Sequence, residues 1–217
     1  MRRMRPRPRH YTGAMTAERA AVRVLPANGY RRVRWRNGLG WTREIVRWPD
    51  REDWDWRLSI AEIEQDADFS AFPGIDRELV LLHGQGLRLR YDDGRVDELL
   101  PPHGSARFPG ERGVRGELVD GRTTDFNLMW RRGRIDAELW RRPLVGTMVV
   151  FAAPGETWAL HLLAGQARFV DGLDAPLLEA GDTALISARA ARARSALDGA
   201  GEALLVRLAP VAAPDAQ

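Results

Sequence analysis

The chain has 217 residues, 44% hydrophobic and 29% charged, enough for one large or two small globular domains with an apolar core. It has no Cys, and all 33 basic residues are Arg. Disulfides, thiolate metal sites, Cys nucleophiles, lysine Schiff bases and the P-loop Lys are therefore excluded. The formal net charge is +3, but residues 1–21 carry six Arg against one Glu. The remaining body is slightly acidic, without the basic face that would track a phosphate backbone.

No apolar run reaches bilayer length, and the lack of Cys fits a reducing compartment, so a cytoplasmic protein without a membrane partner is expected. Residues 1–21 read as a disordered basic tail with no secretory h-region, or as an over-extended start ahead of Met15. Strand-like runs follow at Arg32–Trp35 and Trp41–Val46, joined by the turn Asn37-Gly38-Leu39-Gly40. In Trp54–Ile63, Trp54, Trp56, Leu58 and Ile60 alternate with Asp55, Arg57, Ser59 and Ala61. The second set is short and polar around one Arg, which suits either a pocket wall or the wet face of an amphipathic strand.

Phe69–Gly74 predicts a structural loop with a Pro-Gly type II turn ahead of a strand at Leu79–Leu82, where Asp76-Arg77 could join a pocket rim but reads first as a turn ion pair. Further strands are predicted at Leu87–Tyr91, Phe126–Trp130, Val145–Phe151, Trp158–Leu163, Ala167–Val170, Thr183–Ile186 and Ala203–Leu208, with turns at Asp93-Gly94, Asp120-Gly121 and Gly181-Asp182. Ser187–Leu197, rich in Ala and Arg, predicts the one helix. Short, evenly spaced strands predict an all-β sandwich or barrel. Leu81-Leu82-His83-Gly84-Gln85 echoes Leu162-Leu163-Ala164-Gly165-Gln166, which points to duplicated halves joined near Trp130–Arg142.

The four His, at 10, 83, 103 and 161, contain no His-x-His pair, so no metal site is expected. Ser59 lacks a nucleophile elbow and a His partner, and no catalytic residue is assigned. What remains suits a small polar acid. Arg43 and Arg57 could each grip a carboxylate. Asn37, Thr42, Ser59 and Asn127 could hydrogen-bond it, Glu44 could pair with an Arg or take a ligand N–H, and Asp125 could orient an Arg. On spacing alone, Arg43–Glu44 and Arg57–Asp55 also read as surface ion pairs. Trp41 and Trp130 are the candidate stacking walls.

The runs WRNGLGWTREI, DWRLSIAEIEQDADFSAFPGIDRELVLLHGQGLRL and PGERGVRGELVDGRTTDFNLMWRRG resemble the HutD/Ves family over roughly residues 33–133, with Leu39 standing where the family has Gly. The resemblance implies a bicupin, two antiparallel jelly-roll barrels in one chain. Residues 22–130 would form the first barrel and 131–209 the second, with 210–217 a loose tail. It also implies a pocket role for Arg43, Arg57, Ser59 and Asn127. The implied activity is binding, without cofactor, of a histidine-degradation intermediate such as urocanate or formyl- or formimino-glutamate, and moderation of histidine utilisation. A metal-independent cupin enzyme acting on such an acid, and a Ves-like stress-associated protein of other ligand, are the alternatives. A homodimer is left open. A nucleic-acid role would rest on the basic tail alone.

Overall fold

The computed structural model describes residues 18–35, 37–171 and 175–212. The predicted basic tail up to residue 17, with His10 and Met15, lies outside them. The strands in chain order are β1 (Glu18–Arg19), β2 (Ala21–Leu25), β3 (Arg31–Arg34), β4 (Gly40–Trp48), β5 (Trp56–Ile63), β6 (Ala67–Asp68), β7 (Ile75–His83), β8 (Leu87–Tyr91) and β9 (Val96–Leu99). They continue with β10 (Ser105–Pro109), β11 (Val114–Leu118), β12 (Thr123–Arg131), β13 (Ile135–Ala152), β14 (Thr157–Phe169), β15 (Leu178–Glu179), β16 (Thr183–Ser187) and β17 (Ala193–Pro210). One 3-10 turn, Ala27–Gly29, is the sole helical element among the described residues. The fold is all-β, as predicted, and no helix is long and apolar enough to cross a membrane.

Three sheets make two halves. In the first half, a six-stranded sheet of order β10-β7-β12-β5-β4-β3 faces a four-stranded sheet of order β6-β11-β8-β9. Leu79, Leu81, Leu87, Leu89, Tyr91, Leu99 and Phe108 fill one part of the space between them. In the second half, one sheet of order β1-β17-β14-β16-β2, with β13 added on β17 and β15 on β14, folds around Leu144, Val150, Leu160, Leu162, Phe169, Leu178, Ile186 and Leu197. That interior is packed with apolar side chains.

The halves meet through a third apolar cluster. Trp56, Leu58, Ile60, Phe126, Leu128 and Trp130 of the six-stranded sheet pack on Leu204, Val206 and Leu208 of β17. Period-two alternation makes this possible, because the same strands turn Arg57, Ser59 and Asn127 the other way. The inner strands of the six-stranded sheet are thus covered on both faces, and β5 and β12 are buried almost throughout.

Two expectations are corrected. Residues 187–197 form no helix: β17 begins at Ala193 and pairs with β13 from Ala193↔Ala152 onward. Ala193, Ser195 and Leu197 are fully buried there, so tertiary burial overrides the helix propensity of an Ala/Arg run. Residues 21–25, divided by the sequence between tail and first barrel, pair as β2 with β16 (Val24↔Ala184) and belong to the second half's sheet. From Glu18 the chain therefore runs in the second half's sheet and crosses to the first half at Tyr30. The Pro73-Gly74 turn is as expected, with Gly74 at φ +74° and the Ile75 N–H donating to the Phe72 carbonyl at 3.2 Å.

The two echoed segments serve differently. Gly84 lies in the turn between β7 and β8, whereas Gly165 lies inside the continuous β14, beside a bulge at Leu162/Ala164. At Gly165 (φ +83°) an added Cβ would meet the Ala200 carbonyl oxygen at 1.8 Å, so only Gly lets β14 and β17 cross this corner together.

Candidate binding cavity

Inward-facing side chains of the six-stranded sheet form a grid. One row across it reads Arg57 (β5), Met129 (β12), Arg77 (β7) and Phe108 (β10). The next reads Glu44 (β4), Ser59, Asn127 and Leu79, and the third Thr42, Ala61, Asp125 and Leu81. Between this wall and the Phe69–Phe72 loop lies a cavity of about 600 Å³. Arg57, Arg77, Ser59, Asn127, Thr42 and Asn37 are among its lining, with Trp35, Phe69 and Phe72 as aromatic walls. That volume is in the range of small-molecule sites.

Arg77 is the distinctive group. It is 6% exposed and has no ion pair or side-chain hydrogen bond among the described residues, and its Nε is buried without a partner. Three rings surround its guanidinium, Phe108 at 5.1 Å, Phe69 at 5.4 Å and Phe72 at 5.6 Å. Cation–π attraction offsets part of the cost of burial but leaves the N–H groups unsatisfied. Burial, aided by repulsion from Arg57, pushes its pKa down to about 10, so it stays charged at neutral pH. Ser59 Oγ and Asn127 Oδ1 are also buried without partners, on residues that line the same cavity.

The predicted residues are distributed as follows. Arg57 lines the cavity, and its Nε donates to Glu44 at 2.9 Å rather than to Asp55, which pairs with Arg134 at 3.1 Å. Glu44 also stands 3.7 Å from Arg47 and lies at the cavity mouth, a 270 Å³ recess shared with Thr42, Trp54 and Arg57. Thr42 accepts a hydrogen bond from Trp35 Nε1–H at 2.9 Å, which fixes the Trp35 wall. Asn37 Oδ1 accepts the Leu39 N–H at 3.1 Å and so closes the Asn-Gly turn, with Gly38 at φ +71°.

Arg43 is corrected. It follows Thr42 on β4, points to the opposite face of the sheet, and pairs with Glu62 at 2.8 Å. Asp125 is corrected in role. It is fully buried, accepts from Thr123 Oγ1 at 2.8 Å, orients no Arg, and does not line the cavity. Burial pushes its pKa up to about 7. Trp41 and Trp130 are not walls of the cavity: Arg32 and Arg34 stack on Trp41 at 4.1 and 4.7 Å, and Trp130 is buried between the halves. The Asp76–Arg77 ion pair is corrected, since Asp76 pairs with Arg132 at 2.7 Å; the sequence reading offered Arg77 only as a rim residue and missed Trp35. The available signal was alternation, since Ile75, Arg77, Leu79 and Leu81 share one face, and an Arg on an apolar face is a buried Arg.

No group of three or more His, Cys, Asp or Glu able to hold a metal occurs among the described residues. His161 is buried against Phe126, ring centroids 5.2 Å apart, with Nδ1 2.9 Å from Thr183 Oγ1. Thr183 Oγ1 is in turn 2.8 Å from Tyr30 Oη, which donates to the Gly181 carbonyl. This chain of contacts ties the crossover at Tyr30 to the second half.

Comparison with known proteins places these features. Residues 27–205 match the HutD family profile. Protein Ves of Cronobacter sakazakii is 41% identical over 119 residues, 54% of this chain and 62% of Ves. An uncharacterized 21.2 kDa protein of Pseudomonas putida, from the hutC 3' region, is 39% identical over 120 residues, 54% of this chain and 63% of that protein. The matched stretch thus spans just over three fifths of these relatives. HutD from Pseudomonas fluorescens SBW25, solved in a formate condition, superposes with a TM-score of 0.76 at 28% identity, covering 88% of this chain and all of that one. The chain belongs to the HutD family.

Proposed function

We propose that this protein binds a small carboxylate-bearing metabolite in the first-half cavity, without a metal, and acts as a binding component that moderates histidine utilisation. The observation that carries the reading is Arg77: a buried guanidinium without a carboxylate partner, facing a 600 Å³ space beside unpartnered atoms of Ser59 and Asn127. A ligand carboxylate would satisfy Arg77 bidentately and turn an unfavourable burial into a favourable pair. Arg57, already held by Glu44, would contact a second polar group. Asp68 is the one carboxylate on the lining among the described residues and is engaged with Arg115 at 3.3 Å, so the interior keeps an excess of positive charge. Support for histidine metabolism comes from the hutC-region relative. The candidate ligands are urocanate, formyl-glutamate and formimino-glutamate.

The test is thermal melting with each of these acids, with glutamate and histidine as comparators. A ligand at 100 times its Kd stabilises by about 2.7 kcal/mol. One of the three pathway intermediates should raise the melting temperature in the wild type but not in Arg77→Leu, and less in Arg57→Ala. No shift with any of the acids would remove the histidine-pathway reading.

A further inference from the structure

A second compartment lies where the two halves meet, and nothing in the first cavity's role uses it. It is a groove of about 610 Å³ between β4 and β5 of the first half and β2 and β16 of the second. Its apolar lining includes Ile45, Val46, Val22 and Leu185. Trp48 and Trp56, directly opposite each other in the β4–β5 register, stand on one wall. Trp56 is buried, whereas Trp48 is 61% exposed and makes no ring or cation contact among the described residues. An indole left open beside an apolar floor presents a free stacking face.

The charges of the groove are unevenly satisfied. Its acids are engaged: Glu44 with Arg57, Glu156 with Arg207 at 2.7 Å, and Asp50 with Arg47 at 3.1 Å. Arg23 on β2 and Arg31 on β3 also line it, and neither side chain has a carboxylate or hydrogen-bond partner among the described residues. The groove therefore offers two uncommitted guanidiniums and an open aromatic face on an apolar floor. Interfaces between halves of a fold are common places for ligand sites.

We infer that the groove is a second ligand site, and that it takes a low-molecular-weight planar aromatic anion, its ring on Trp48 and its charge on Arg23 and Arg31. Neither element suffices alone: an aliphatic acid leaves the indole unstacked, and a neutral aromatic leaves the guanidiniums unpaired. Arg31, Glu44 and Arg47 line both this groove and the mouth of the first cavity, so the two sites share a wall of charged side chains.

The experiment is calorimetric titration of the full chain with 2-naphthoate, beside 2-naphthamide and cyclohexanecarboxylate. Saturable binding of 2-naphthoate is expected, with each comparator at least about ten-fold weaker. Trp48→Ala, and Arg23→Ser combined with Arg31→Ser, should each weaken it about ten-fold or more, with melting temperatures showing that these exposed positions leave the fold intact. Arg77→Leu should leave 2-naphthoate binding in place, and Asn127→Ala, which lines the first cavity and not the groove, serves the same purpose if that variant does not fold. Absence of saturable binding, indifference to the groove substitutions, or loss of binding in the cavity variants would each overturn the inference. Failure of the first cavity to bind any histidine-pathway acid would leave this titration readable.

Discussion

Arg77 is held in a position that costs stability. A guanidinium whose pKa falls from 12.5 to about 10 on burial destabilises the neutral-pH fold by roughly 3 kcal/mol. Replacement by an apolar side chain removes that cost. Arg77→Leu should therefore melt higher than the wild type without ligand while losing ligand-induced stabilisation. Chemical denaturation with and without ligand reads both, and a less stable apo variant would show that the three Phe rings already compensate the charge. Asp125 behaves in the opposite sense with pH. Its folded pKa of about 7 exceeds the unfolded value near 3.8, so its burial is free below pH 3.8 and becomes costly as pH rises toward 7. The stability of Asp125→Asn relative to wild type should climb by about 1.4 kcal/mol per pH unit over that window and level off above it. A flat difference from pH 4 to 8 would mean that the carboxylate is solvated.

At the scale of elements, strands with two different buried faces do the positioning. β5 and β12 give one face to the contact between halves and the other to the cavity, so a one-residue slip would exchange Ser59 and Asn127 for Ile60 and Phe126. That alternation was legible: the short polar set Arg57, Ser59 and Ala61 stood out against the Trp, Leu and Ile of the same run. The direction of Arg43 was equally legible, since it must face away from Thr42, but its attractive chemistry outweighed its parity. The helix at 187–197 was misread because local propensity carries no information about β13, the partner that recruits Ala193, Ser195 and Leu197 into the second half. The corner at Gly165 is a sharper case of the same dependence. Gly165→Ala should destabilise by roughly 4 kcal/mol or more, because the neighbour met by the new Cβ is backbone and cannot move aside. Equilibrium denaturation checks this, and a loss below about 1 kcal/mol would mean that the corner can open.

The whole molecule is held by the apolar contact between halves and by the crossing of the chain at Tyr30. His161 sits at that contact, with Phe126 of the first half against its ring and Thr183 on its Nδ1. Burial first, then repulsion from Arg43, pushes its pKa down to about 4, against attraction from Asp182. A base with a depressed folded pKa contributes stability that is complete above the unfolded value of 6.5 and is lost as pH falls toward 4. Wild type should therefore lose about 1.4 kcal/mol per pH unit relative to His161→Gln between pH 6.5 and 4. Parallel pH titrations of thermal stability measure it, and equal profiles would place His161 in contact with water.

Chain-local information was enough for the strand-rich architecture, the turns at Asn37-Gly38 and Pro73-Gly74, the exclusion of thiol and lysine chemistry, and the family. All of these follow from composition, from period-two alternation, or from residues adjacent in the chain. Long-range strand pairing set the rest: Arg77, and not Arg43, shares the cavity with Arg57, residues 21–25 belong to the second half, and a groove opens between the halves. Each of these depends on which strands become neighbours across tens of residues. Burial and charge pairing are set by that neighbourhood, so the energetic cost that marks Arg77 does not exist until β7, β10 and the Phe69–Phe72 loop have closed around it.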